Sequence, residues 1–185
     1  MSEYNPDIHH RRSIRLKEYD YSLDGLYFVT LCCQGKLCRF GKIRNGEMTL
    51  NAVGELARDE WTRTSEIRPN VQMNVFVIMP NHLHGIISIT DNDGGGGDKQ
   101  CFLNIEKGVC HTPLQPPPSP SKTVGAIIRR FKSAVTKQMK SWGVTDSLWQ
   151  HNYYEHVIRT PESHQRITDY IANNPANWTI DKFYC

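Results

Sequence analysis

Between two strongly apolar runs of this chain lies the segment Met79-Pro80-Asn81-His82-Leu83-His84-Gly85. Any fold must bury the runs and still find a place for the two imidazoles. In an extended backbone successive side chains alternate faces, so His82 and His84 project to one side with their roots about 7 Å apart, while Leu83 faces the other way. Two imidazole arms at that separation can converge on one ion. Upstream, residues 71–79 read as a strand whose far end is apolar on both faces, and Ile86-Ile87-Ser88-Ile89 reads as its partner. The pair is therefore carried by the middle of a sheet. Asn81 supplies turn chemistry after Pro80, and Gly85 is the residue expected where a substrate backbone comes close. A bare His-x-His is also met by histidines that merely fill a core, so the rest of the chain must decide.

The length of 185 residues suits one domain spanning 1–185, long enough to bury a core without staples. No apolar run approaches the roughly 20 residues of a membrane helix, and the polar start Met1-Ser2-Glu3-Tyr4-Asn5-Pro6 lacks the apolar stretch of a signal peptide. A cytoplasmic protein with no membrane partner is expected. The six cysteines form no C-x-x-C pair, which argues for reduced packing thiols over a zinc knuckle or a disulfide framework. A net charge of +3 says little by itself; its distribution says more.

One concentration of charge is an arm within residues 1–20, where Arg11, Arg12, Arg15 and Lys17 stand among no acids from His9 to Lys17. It suits a phosphate backbone, as it suits a solvated terminus. Residues 25–33 form the first convincing strand, expected to be central. Asn45-Gly46 marks a hairpin turn. Asn51 caps a helix to about Glu66 with Val53, Leu56, Ala57 and Trp61 on one side. Strands, helix and strands again give the order of an antiparallel α+β sandwich. Residues 91–120, from the Gly94–Gly97 run to Pro116-Pro117-Pro118, read as a linker or loop, and the glycines do not have phosphate-loop spacing.

The second concentration lies on a helix expected from Ser121 to Trp142. Val124, Ile127, Ile128, Phe131, Val135 and Met139 form its apolar stripe, and Lys122, Arg129, Arg130, Lys132, Lys137 and Lys140 occupy the rest with no acid between them. Exposed helices that are merely solvated usually mix signs, so the single sign favours nucleic acid, with Arg129, Arg130 and Lys132 as phosphate contacts. Residues 148–159 are aromatic-rich and read as a strand with its approach turn; His151 and His156 have opposite parity and do not pair. The last helix has Thr160 as cap, Pro161 at its first position and Pro175 as its stop. On it Ile167, Tyr170, Ile171 and Asn174 share a face, so a phenol and an amide oxygen reach the same neighbourhood.

Together these segments resemble a known family. His82-Leu83-His84 after an apolar strand, with Asp169-Tyr170-Ile171-Ala172-Asn173-Asn174-Pro175 on a late helix, is similar to the HUH single-tyrosine transposases. Arg11-Arg12-Ser13-Ile14-Arg15-Leu16, the 79–85 segment, and Leu148-Trp149-Gln150 leading to Tyr153-Tyr154-Glu155-His156 resemble, more narrowly, the REP-associated tyrosine transposases. The resemblance implies a ferredoxin-like α+β core of the HUH endonuclease type with helices packed on an antiparallel sheet. It also implies a divalent ion, Mg2+ or Mn2+, on His82, His84 and Asn174, and Tyr170 as a nucleophile toward single-stranded DNA beside a hairpin. The products would be a 5′-phosphotyrosine link and a free 3′-hydroxyl. Asn174 stands where the family carries Gln or Asn, and is the shorter of the two.

Two other readings stay open at this stage. One is a hairpin-DNA-binding protein descended from such a transposase that no longer cleaves. The other is a metal hydrolase with no covalent step, disfavoured by the lack of an evident carboxylate cluster. Asp169, next to the tyrosine, is a weak candidate for the base. A homodimer with exchanged tyrosine helices is conceivable, because the 91–120 segment separates the histidines from the tyrosine.

Overall fold

The computed structural model describes residues 24–90 and 123–184. The basic arm with Arg11, Arg12, Arg15 and Lys17, and the 91–120 segment, lie outside the described residues. Four strands, β1 (Gly25–Cys32), β4 (Val71–Met79), β5 (His82–Ile89) and β6 (Tyr154–Ile158), form one sheet in the order β4-β5-β1-β6, every neighbour antiparallel. A separate hairpin, β2 (Gly41–Arg44) with β3 (Glu47–Leu50), turns at Asn45 and Gly46, both at positive φ, as the Asn-Gly dipeptide predicts. The helices are α1 (Ala52–Ile67), α2 (Val124–Ser141) and α3 (Pro161–Asn173). This is the ferredoxin-like α+β arrangement, with β1 and β5 central as the sequence leads one to expect.

Local signals account for most boundaries. Asn51 Oδ1 accepts from the backbone N–H groups of Val53 and Gly54 at 3.0 Å each, opening α1. Thr160 Oγ1 accepts from Ser163 N at 3.2 Å, with Pro161 in the first turn of α3. Two expectations shift. The basic helix begins at Val124, because Thr123 supplies the cap through Ala126 N, and not at Ser121. The strand expected over 148–159 shortens to β6, since Leu148 and Trp149 leave the ladder to fill the core, with Trp149 bridged to Cys33.

Period-two alternation divides the sheet into two faces. Tyr27, Val29, Leu31 and Cys33 share a core with Leu83, with Ala57 and Trp61 of α1, and with the whole apolar stripe of α2. Leu26 turns the other way, meeting Ile86, Ile158 and the α3 residues Ile167 and Ile171. Helices α1 and α2 thus cover one face and α3 the other. Trp61, fully buried, locks the first layer through an edge-on contact to Phe131 of α2 at 5.1 Å and a tilted one to Phe76 of β4 at 6.1 Å. Truncating such a residue costs about 3–5 kcal/mol.

That layering corrects the reading of Gly85. A Cβ built there would stand 2.5 Å from Cζ2 of Trp61 and 3.2 Å from Cβ of Phe76. The missing side chain makes room for an indole on the α1 face and not for a substrate, because Gly85 points away from the side its histidine neighbours use.

Candidate active site

The register of β1 against β5 sets His84 opposite Thr30 and His82 opposite Cys32, on the face that α3 covers. Both imidazoles are buried, at 0% exposure for His82 and 1% for His84. Their ring centroids are 4.4 Å apart, so the arms do converge as strand alternation requires. Behind them, Nδ1 of His84 lies 2.8 Å from Thr30 Oγ1 and Nδ1 of His82 lies 2.8 Å from Asn81 Oδ1. Phe28 stacks on His84 at 5.4 Å and Phe183 packs on His82 at 4.6 Å.

Helix α3 brings in the phenol. Ile167 and Ile171 bind the helix to the sheet, which leaves Tyr170 at the border of that contact, 40% exposed, with its hydroxyl 3.1 Å from Nε2 of His84. The tyrosine and the histidines meet within one chain. Asn174, one turn on and 2% exposed, donates from Nδ2 to Asp181 Oδ2 at 3.0 Å. The sequence reading missed Asp181, which lies past the proline stop beside a 3-10 turn (Trp178–Ile180) where no periodicity reports on position. Its Oδ2 also accepts from Tyr170 at 3.4 Å, and its Oδ1 from Phe183 N at 2.6 Å. Asp169, by contrast, accepts from Gln165 Nε2 at 2.9 Å on its own helix. The carboxylate at the phenol is Asp181.

The donor set fits a divalent cation. One ligand nitrogen each from His82 and His84 and a carboxylate oxygen of Asp181 lie within 4.8 Å of one another. Nε2 of His82 and Oδ1 of Asn174 are buried and have no hydrogen-bond partner, a costly condition that an ion would relieve. Burial holds both imidazoles neutral, as ligation requires: His82 is pushed down to about 4 against an opposing pull from Asp181, and His84 to about 2 with help from His82 and Lys182. The Tyr170 phenol moves the other way, up to about 12, through burial and then the charge of Asp181.

A cavity of about 420 Å³ opens on Tyr170, between α3 and the tail that follows it. Arg166, Asn173, Asn177 and the largely exposed Ile180 line it with the site residues.

The basic helix is placed otherwise. Arg129 and Arg130 are exposed on α2, across the sheet from the phenol and histidines. Lys132 turns inward, its Nζ donating to the carbonyls of Gln150 at 2.8 Å and Asn152 at 3.3 Å over the rings of Trp149 and Tyr153. Burial lowers its pKa to about 8. Among the described residues, no helix is long and apolar enough to cross a membrane.

No protein-family model matches the chain. An uncharacterised protein of Haemophilus influenzae is 43% identical over 189 residues, covering 99% of this chain and 98% of the relative. A second protein of the same organism, named "Putative REP-associated tyrosine transposase", is 22% identical over 156 residues, covering 84% and 73%. Among solved structures, a REP-associated tyrosine transposase bound to a REP hairpin superposes with a TM-score of 0.55 at 20% identity, over 96% of this chain and 74% of the other. The chain therefore belongs to one family with the uncharacterised H. influenzae protein, and it has the fold of the REP-associated tyrosine transposases, to which it is also distantly similar in sequence.

Proposed function

We propose that this protein is a metal-dependent single-stranded DNA endonuclease and strand transferase, acting beside a DNA hairpin through a 5′-phosphotyrosine intermediate. The observation that carries the reading is the meeting of Tyr170 with the His82–His84 pair inside one chain. His82, His84 and Asn174 would hold the ion, with Asp181 as a further donor. Imidazole nitrogen beside amide and carboxylate oxygen suits Mn2+ well and admits Mg2+. When bound, the cation supplies positive charge to the non-bridging oxygens of a phosphodiester.

The residues divide the remaining work. Tyr170 is the nucleophile: its Oη forms a bond to phosphorus as the bond to the 3′-oxygen breaks, and that oxygen leaves as a 3′-hydroxyl once protonated. Because the phenol keeps its proton at neutral pH, a proton acceptor is needed, and Asp181 Oδ2 at 3.4 Å is within reach after small adjustment. Thr30, through His84, and Phe28, edge-on to Tyr170 at 6.3 Å, keep ring and phenol in place. One phosphoester replaces another, so the 3′-hydroxyl can attack in reverse and rejoin strands without ATP. The cavity beside Tyr170 has room for a nucleotide next to the scissile phosphate, with the Arg166 cation on its wall.

The solved neighbour carries a REP hairpin, and we extend hairpin DNA to this chain as its partner, bound in the cytoplasm at the nucleoid. Arg129 and Arg130 would contact phosphates away from the cleavage point, and Arg11, Arg12, Arg15 and Lys17 would add further phosphate contacts. The test is incubation of hairpin-flanked single strands with Mn2+, followed by a denaturing gel for protein-linked DNA. An adduct that needs both Mn2+ and Tyr170 supports the reading. Tight hairpin binding with no adduct at any metal concentration would replace it with the non-cleaving alternative.

A further inference from the structure

We propose that Asn81 is a positioning residue, holding His82 with its proton on Nδ1 and the lone pair of Nε2 directed into the metal site. The same amide ties the segment carrying Asp181 to the histidine pair. The inference rests on the metal-dependent reading above and assigns the part of that site that orients its ligands.

The two protons of the Asn81 amide each have a carbonyl partner. Asn81, 1% exposed in the turn between β4 and β5, donates from Nδ2 to the carbonyl of Lys36 at 3.0 Å and to that of Phe183 at 2.7 Å. Carbonyls only accept, so these two bonds fix which end of the amide is nitrogen. The oxygen end must then be the atom 2.8 Å from Nδ1 of His82. An amide oxygen also only accepts, so the imidazole donates there and carries its proton on Nδ1. Nε2 is left with a bare lone pair, buried and without a hydrogen-bond partner. A neutral imidazole that donates from one nitrogen and offers the other is what ligation requires.

The bond to Phe183 has a second consequence. Asp181 Oδ1 accepts from Phe183 N at 2.6 Å while Asn81 holds the carbonyl of that same residue. The short turn 181–183 is thus closed by the aspartate at one end and pinned by Asn81 at the other. A residue serving only to close the β4–β5 turn would need neither the contact to His82 nor the one to Phe183.

Long-range nitrogen-15 NMR of the metal-free wild-type protein reads the tautomer directly. The expected result is a protonated Nδ1 and an unprotonated Nε2 on His82; protonated Nε2, or exchange between tautomers, would overturn the proposal. In Asn81→Ala the tautomers should mix, and the Mn2+ dissociation constant, read from the electron paramagnetic resonance of free Mn2+, should rise about 10–100-fold. Unchanged Mn2+ affinity in a folded Asn81→Ala protein would also overturn it. If that variant does not fold, the wild-type spectrum still decides. Failure of the wild-type protein to bind Mn2+ is a different outcome: it removes the metal reading of the site, while the tautomer still reports on Asn81.

Discussion

The hydroxyl of Tyr170 stands 3.1 Å from Nε2 of His84, across 86 positions of sequence. Neither residue is brought there by its neighbours in the chain. The histidine is placed by strand pairing at Thr30 and the tyrosine by Ile167 and Ile171, which dock α3 on the same face of the sheet. Substituting Tyr170 therefore tests chemistry with little disturbance of the fold. Tyr170→Phe keeps the ring and removes the nucleophile, so DNA-linked protein should vanish while hairpin affinity stays within about two-fold. Stability should change by no more than about 1 kcal/mol, the worth of a part-exposed hydrogen bond. An adduct that survives on a denaturing gel would take Tyr170 out of the mechanism.

The buried imidazoles set a pH dependence of stability. In the folded protein His82 and His84 are depressed to about 4 and about 2, against an ordinary value of 6.5. Below 6.5 the unfolded chain therefore takes up protons that the native state refuses. Stability should be at its plateau above pH 6.5 and fall as the pH drops toward 4, by at most about 1.4 kcal/mol per unit for each imidazole. Urea midpoints between pH 7.5 and 5 measure this, and a flat profile would contradict the buried, neutral state. Because both imidazoles are already unprotonated in the native state throughout this range, saturating Mn2+ should raise the midpoint by a similar amount at pH 7.5 and at pH 5.

At Gly85 the expected effect is steric. An alanine Cβ would press on the Trp61 indole and on the β-carbon of Phe76, neither of which can swing aside in a packed layer. Gly85→Ala should lose about 1–3 kcal/mol in urea unfolding. Equal stability would mean that α1 yields more easily than its burial implies.

The two kinds of cation on α2 should respond differently to substitution. Replacing the exposed Arg129 and Arg130 together by alanine should flatten the dependence of hairpin affinity on salt by about one to two units of log–log slope. The nicking rate at saturating DNA should not change, because the helix lies across the sheet from Tyr170. Lys132→Met should do the reverse, costing about 1–3 kcal/mol of stability by leaving the carbonyls of Gln150 and Asn152 without their donor, with the salt slope unchanged. A slope lowered as much by Lys132→Met as by one arginine would put Lys132 on a phosphate.

What could be read from the residues alone was whatever depends on spacing over a few positions. The caps at Asn51 and Thr160, the Asn45-Gly46 turn, the shared side of His82 and His84, and the common face of Tyr170 and Asn174 all follow from backbone periodicity and local hydrogen bonding, and all are present. Local rules cannot say which distant surfaces meet. Asp181 enters the site because the tail after α3 folds back under the hold of Asn81, and no motif marks it. Gly85 proved to serve an indole, and Lys132 two carbonyls, because the sheet has two covered faces and each side chain is committed to one. The alphabet of the site was thus local and legible. Its sidedness, its carboxylate and the proton on His82 came only with packing, where contacts are chosen by shape and by the need of every buried polar atom for a partner.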